Sequence, residues 1–273
     1  MAHRRREVRR RLPDDAAAHR AHRRPAGDAV LRRDGARAHP VRPRLHRRGI
    51  LPVVRMEGTD DDEGGGAMIT HTGTLHRLLF PSLLWRMPGR KVFLTFDDGP
   101  HPSATPAVLD ALQRHGVRGT FFLTGRNIPG NEELVRRIVR EGHAIGIHAF
   151  NHSRLLAFSR ARTREEILRT AELIRGITGT APRTFRPPFG FFSWNTIAAA
   201  KELGMLLVMW SCLTGDFRNR DPRVSAAAAL SRLGRGSILV FHDNDLTAAR
   251  IGEVLDLTIP GIAAKGFECG VIR

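Results

Sequence analysis

Between Lys91 and Ile272 short apolar runs alternate with amphipathic stretches, and this alternation limits the fold more than any single motif does. Strands are expected at 91–96, 120–123, 144–147, 184–185, 205–210, 237–241 and 267–272. Helical patterns separate them near 104–115, 132–141, 163–176, 194–203, 222–233 and 248–257, with apolar residues recurring every three or four positions. Such alternation means parallel strands joined by crossover helices. At 273 residues the chain can bury one substantial core, and a single α/β barrel of about 200–250 residues would use most of it.

The first of these strands ends abruptly. Lys91-Val92-Phe93-Leu94-Thr95-Phe96 runs into Asp97-Asp98-Gly99-Pro100, so an apolar segment suited to burial on both faces stops on two adjacent acids. Two neighbouring carboxylates at a buried strand end repel each other unless a cation or base lies beside them. Other chemically capable residues fall in the same kind of place. His148 and His152, Arg186, Asp216 and His242 all lie just beyond predicted strand ends. In a parallel barrel that rim is where active sites are built.

Composition narrows the partners. The formal charge of +17 would ordinarily invite nucleic acid, but residues 1–66 hold 17 Arg against 10 Asp plus Glu and so carry +7 of it. Only three lysines occur in the chain, and no RNA- or DNA-binding motif accompanies the charge, so no nucleic-acid partner is expected. Residues 1–66 also lack Phe, Trp and Tyr, show neither helical nor strand periodicity, and close on Asp60-Asp61-Asp62-Glu63-Gly64-Gly65-Gly66. We expect this Arg-rich segment to be disordered, with 67–273 as the catalytic domain; a start placed too early, Met68 being the true one, is the favoured reading over a basic interaction tail or a linker. No apolar run of membrane-spanning or secretory length is visible. The lead-in Leu75 to Trp85, broken by Pro81, is expected to cover one end of the domain, peripheral membrane contact being its other reading. Cys212 and Cys269 are too far apart in sequence to suggest a metal-ligand motif, and free thiols are expected.

The spacing of His148 and His152 places two imidazoles on one face if the segment turns helically. Together with one strand-end carboxylate they make a three-ligand site for a divalent ion, with open positions for water and substrate. At this point five segments bear a family resemblance. Thr95 to Pro100, the His148 to His152 pair, Arg186-Pro187-Pro188-Phe189-Gly190, Trp210 to Phe217, and Ile238 to Asp243 resemble, in order, the five motifs of the polysaccharide deacetylase family.

The resemblance covers roughly 75–273 and implies a distorted (β/α)7 TIM-like barrel that uses a divalent metal, usually zinc, to remove acetyl groups from a glycan. It implies Asp98, His148 and His152 as metal ligands and Asp97 as the catalytic base, with Arg186 pairing with that base. His242 would be the general acid and Asp216 the carboxylate that orients and tunes it. The backbone N–H of Phe189, standing where the family usually has Tyr, would help to hold the oxyanion, and Trp210 and Val240 would line the pocket for the acetyl methyl. Three positions depart from the family pattern: Leu213 replaces a common Asp, Phe217 a common Trp, and Ala149 a common Ser or Thr. These departures alter the pocket wall rather than the reacting groups, so they bear on the choice of glycan. Two other readings of the same barrel are hydrolysis of a small non-sugar amide and a non-catalytic glycan-binding module. Asp243, His101, His115 and His143 are expected to be structural.

Overall fold

A computed structural model describes residues 78–273. The expectations for residues 1–66, the proposed start at Met68 and the first residues of the lead-in lie outside the described residues. Eight short strands form one parallel sheet: β1 Val92–Asp97, β2 Thr120–Leu123, β3 Ala144–Ile147, β4 Thr184–Phe185, β5 Leu206–Leu207, β6 Cys212–Leu213, β7 Ile238–His242 and β8 Cys269–Gly270. Their order is β5-β4-β3-β2-β1-β7-β6, with β8 added to the start of β1. Among the described residues the helices that alternate with these strands are α1 Ala104–Arg114, α2 Glu132–Arg140, α3 Arg160–Thr178, α4 Trp194–Glu202, α5 Pro222–Ser231 and α6 Ile251–Ala264. This is the expected α/β architecture, a distorted (β/α)7 barrel.

Every residue of β1 is buried, which is why its sequence reads as an unbroken apolar run rather than an alternating one. The Phe96 ring stacks between Phe121 of β2, at 4.9 Å, and Phe241 of β7, at 5.8 Å. Aromatic pairs at this separation add roughly 0.5–1.5 kcal/mol each to their burial and hold the three central strands in register. Three of the helices start on side-chain caps. Ser159 caps α3, Ser193 forms a capping box with Thr196 on α4, and Asp221 caps α5 ahead of Pro222. Each such cap stabilises its helix by about 1 kcal/mol.

Two elements differ from the sequence expectation. The apolar run 205–210 is not one strand: β5 ends at Leu207, and the next strand, β6, sits on the opposite edge of the sheet. Between them the chain crosses the open side of the barrel. There Arg186 Nε donates to the carbonyl of Val208 at 3.3 Å and its Nη2 to that of Met209 at 3.1 Å. An apolar pattern reports burial but cannot say which donor takes its carbonyls. The last helix also runs further than 248–257 and includes Pro260. An interior proline costs about 3 kcal/mol. Continuing the helix buries Ile259 and Ile262, at roughly 1.5–3 kcal/mol each, which offsets that cost.

The lead-in closes the open side. Leu84 pairs with Val208 in a parallel bridge, and Met87 donates to the carbonyl of Gly236 at 2.9 Å, just before β7. Leu83 and Trp85 are buried while Leu78 and Leu79 are exposed, so this segment covers the domain through its second half. Cys212 is buried and Cys269 half-buried; both are free, and burial pushes their thiols up to about 12 and about 11. No helix among the described residues is long and apolar enough to cross a membrane.

Candidate active site

Because all strands run parallel, their C-terminal ends share one rim. Asp97 closes β1, His148 follows β3, Arg186 follows β4, Asp216 lies beyond β6 and His242 closes β7. Asp97 and His242 are direct register partners on neighbouring strands. Asp98 comes next with φ +82, a left-handed conformation that a side-chain-bearing residue adopts only under constraint. Its constraints are visible. Asn127 Nδ2 donates to the Asp98 carbonyl and Asn244 Nδ2 to Asp98 Oδ2, each at 2.7 Å.

That leaves Asp98 Oδ1, which is buried and accepts no well-directed hydrogen bond. It faces Nε2 of His152 at 3.0 Å and Nε2 of His148 at 3.6 Å. His148 Nδ1 lies 2.8 Å from the carbonyl of Arg186, which can only accept, so the proton of the neutral ring sits on Nδ1 and Nε2 carries a lone pair. Burial, helped by the charges of His152 and Arg186 against those of Asp97 and Asp98, lowers His148 to about 4, so the ring is neutral near pH 7. Burial works against the charged form of Asp98, but the close approach of His152 and the rings of His242 and His148 outweigh it and hold the carboxyl well below the usual range.

A charged carboxylate oxygen and a bare imidazole nitrogen thus face each other with no proton between them. A cation resolves that repulsion. Zinc bonds of about 2.0–2.2 Å at tetrahedral angles separate neighbouring ligand atoms by about 3.3 Å, between the two observed distances. Asp98, His148 and His152 offer one ligand atom each, all within 4.8 Å of one another, and their donor chemistry fits a divalent ion.

Two further pairs flank this cluster. Arg186 is fully buried, and its Nη1 donates to both Asp97 Oδ1 and Thr95 Oγ1 at 2.7 Å, while its guanidinium lies 4.1 Å from the Phe122 ring. On the other side His242 Nδ1 donates to Asp216 Oδ1 at 2.9 Å, and the His242 backbone N–H donates to Asp216 Oδ2 at 2.6 Å. Asp216 therefore fixes both the ring and the strand end that carries it. Phe217 packs edge-on against His242 at 4.9 Å. Phe189 adopts φ +58 and lays its ring 4.4 Å from that of His152.

The rim opens onto a groove of about 700 Å³, whose lining includes Asp98, His148, His152, Phe189, Phe217 and His242, while Asp97, Arg186 and Asp216 are buried and are not among the lining residues. Trp210 and Val240 are fully buried and lie behind the groove rather than among the residues that line it. Sequence reasoning did not single out Asn127 and Asn244, nor Arg126 and Arg154 in the groove wall. Their positions follow no periodicity; only the folded loops bring them to the rim. Of the histidines expected to be structural, His115 pairs with Asp256 and His143 accepts from the Gly119 N–H, whereas His101 pairs with Asp245 in the groove wall.

Glu166 was missed for the same reason. This buried residue of α3 accepts from the backbone N–H groups of Phe150 and Asn151 at 2.9 and 2.7 Å and from Asn151 Nδ2 at 2.7 Å. It braces the loop between His148 and His152, where Ala149 and His152 both have positive φ. Glu166→Ala is expected to destabilise the fold by roughly 2–3 kcal/mol, the range for orphaned hydrogen bonds to a charged group. Zinc affinity should fall by about 10–100-fold. Amide exchange at Phe150 and Asn151 together with zinc titration checks this, and Glu166→Gln should restore part of both.

Asp243 is buried beneath the same rim. Gly99 N–H donates to its Oδ1 at 3.0 Å and Thr105 Oγ1 to its Oδ2 at 2.5 Å. Burial, reinforced by the charges of Asp98 and Asp97 and opposed by these hydrogen bonds, pushes its carboxyl up to about 8 from 3.8. Between those two values the unfolded chain releases a proton that the folded chain keeps, so this group costs stability as pH rises from about 4 to about 8. Asp243→Asn holds the site neutral throughout. The variant should gain on the wild type with rising pH, by at most about 1.4 kcal/mol per pH unit. Urea unfolding of both proteins at pH 5 to 8 tests this; a difference that does not change with pH would refute it.

An α/β barrel whose C-terminal rim gathers a carboxylate, two imidazoles, a buried Asp–Arg pair and a His–Asp pair defines a recognisable class. A family model described as polysaccharide deacetylase matches residues 86–208. The peptidoglycan-N-acetylglucosamine deacetylase PgdA of Listeria monocytogenes is 36% identical over 179 residues, 66% of this chain and 37% of that protein. A chitooligosaccharide deacetylase of a Bradyrhizobium species is 33% identical over 191 residues, 66% of this chain and 87% of that one. The solved Bc1960 peptidoglycan N-acetylglucosamine deacetylase superposes with a TM-score of 0.69 at 31% identity, covering 73% of this chain and 95% of that one. The chain belongs to the polysaccharide deacetylase family.

Proposed function

We propose that this protein is a metal-dependent deacetylase that hydrolyses the acetamide of N-acetylated sugars in a glycan such as peptidoglycan or a chitooligosaccharide. The observation that carries this reading is the meeting, on one barrel rim, of the Asp98, His148 and His152 cluster with the Asp97–Arg186 pair and the His242–Asp216 pair. The three ligands would hold a divalent ion, zinc being the best match to their chemistry. When bound, such an ion polarises the acetyl carbonyl and makes a water easier to deprotonate.

The protein's own residues then divide the proton transfers. Asp97, held at Oδ1 by Arg186, takes the proton of the attacking water. The Phe189 N–H is assigned to the developing oxyanion, supported by the left-handed turn that places this residue against His152. His242 gives a proton from Nε2 to the departing sugar nitrogen, while Asp216 accepts from Nδ1 and stabilises the charged ring. Trp210 and Val240 pack behind the floor on which the acetyl methyl would rest. An open groove of about 700 Å³ favours a glycan over a small amide.

Acetate release from chitooligosaccharide and peptidoglycan fragments by zinc-loaded protein tests the reading. Activity should vanish on chelation and return with zinc. Zinc-loaded protein that releases acetate from none of these glycans would sink it.

A further inference from the structure

We infer that the groove also recognises a carboxylate on the sugar neighbouring the one that loses its acetyl group, through Arg126 and Arg154; this rests on the deacetylase reading above. Both arginines line the groove that contains Asp98, His148 and His152. The Arg154 guanidinium lies 4.5 Å from the centre of the Phe189 ring, and the same ring is 4.4 Å from that of His152. This cation therefore stands one aromatic ring away from a metal ligand. Arg126 follows β2 and also lines the groove. Its backbone N–H donates to the Phe150 carbonyl at 3.0 Å, and its neighbour Asn127 holds Asp98.

Neither arginine has an ion-pair partner among the described residues, whereas Arg114, Arg137, Arg160 and Arg223 are all paired with carboxylates. The acids of the groove are already engaged. Asp98 belongs to the ligand cluster and Asp245 sits 2.8 Å from His101. Two guanidinium groups without an ion-pair partner beside a reacting centre attract a negative substituent, and their planar forks suit a carboxylate in particular. The surrounding field has the same sign, since residues 78–273 hold 26 Lys plus Arg against 17 Asp plus Glu. Peptidoglycan carries a lactyl ether on every second sugar, and its carboxyl is a free carboxylate wherever the stem peptide has been removed; chitooligosaccharide carries none.

Isothermal titration of zinc-loaded Asp97→Asn protein separates charge from shape. The probes are a peptide-free peptidoglycan tetrasaccharide, its carboxyl methyl ester, and chitotetraose. The free acid should bind about tenfold tighter than the ester at low salt, with the ratio shrinking as salt rises. Adding Arg126→Gln and Arg154→Gln should bring the acid-to-ester ratio close to one. Equal binding of acid and ester, with wild-type protein still releasing acetate from glycans, overturns the inference and leaves the deacetylase reading standing. A ratio that survives the double substitution overturns the assignment to these two arginines. Absence of both binding and acetate release with every glycan overturns the inference and the deacetylase reading together.

Discussion

Asp97→Asn is expected to slow acetate release by about 10²–10⁴-fold while leaving zinc stoichiometry unchanged, because it removes a general base without removing a ligand. The two adjacent acids make this a sharp test. Asp98 Oδ1 points at the Nε2 atoms of His148 and His152, while Asp97 Oδ1 is taken by Arg186 on the opposite side of the backbone turn. An amide at position 97 keeps its shape and can still accept from Arg186, but it cannot take a proton from water. The same change at position 98 should instead weaken zinc binding, since a neutral amide oxygen replaces a charged ligand. Turnover, bound zinc by atomic absorption and thermal unfolding of the two variants side by side check the division. Undiminished turnover in Asp97→Asn would refute the base assignment, and loss of zinc from that variant would show that Asp97 is itself a ligand.

Much of this architecture could be read before the coordinates because it depends on local patterns. β1 is buried on both faces and therefore continuously apolar, and all six helices begin within three residues of where their periodicity places them. Asp97, Asp98, His148, Arg186, Asp216 and His242 could be picked out because each follows a strand, and parallel strands must end on one rim. What could not be read depends on which distant groups meet. The 205–210 run reads as one strand because it is apolar throughout, yet its carbonyls at Val208 and Met209 go to Arg186, a side chain from another loop. Glu166, Asn127 and Asn244 were missed because each acts through a hydrogen bond to a loop far away in sequence. A polar residue on a helix or in a loop is ordinary until the backbone group it satisfies is known.

Arg186→Met is expected to lower stability by about 3–5 kcal/mol, the range for breaking a buried ion pair by removing one partner. The pair is deep: the Arg186 side chain is 0% exposed and that of Asp97 2%. Removing the guanidinium strands Asp97 Oδ1 and the carbonyls of Val208 and Met209, while the Thr95 hydroxyl keeps its bond to the Leu239 carbonyl. Those carbonyls belong to the stretch that crosses the open side of the barrel, so the loss should loosen the connection between β5 and β6 as well as the base. Lysine cannot replace it, because one ammonium lacks the planar reach to serve four acceptors at once. Urea unfolding of Arg186→Met, Asp97→Asn and the double variant separates the two contributions. If the stranded charge dominates, Asp97→Asn in the Arg186→Met background will recover a large part of the loss. If the carbonyl contacts dominate, the two effects will add, and Arg186 is then first a strut across the barrel opening and only second the partner of the base. The arginine's two backbone contacts make some residual cost certain even with Asp97 neutralised, so full recovery in the double variant would contradict the geometry described here.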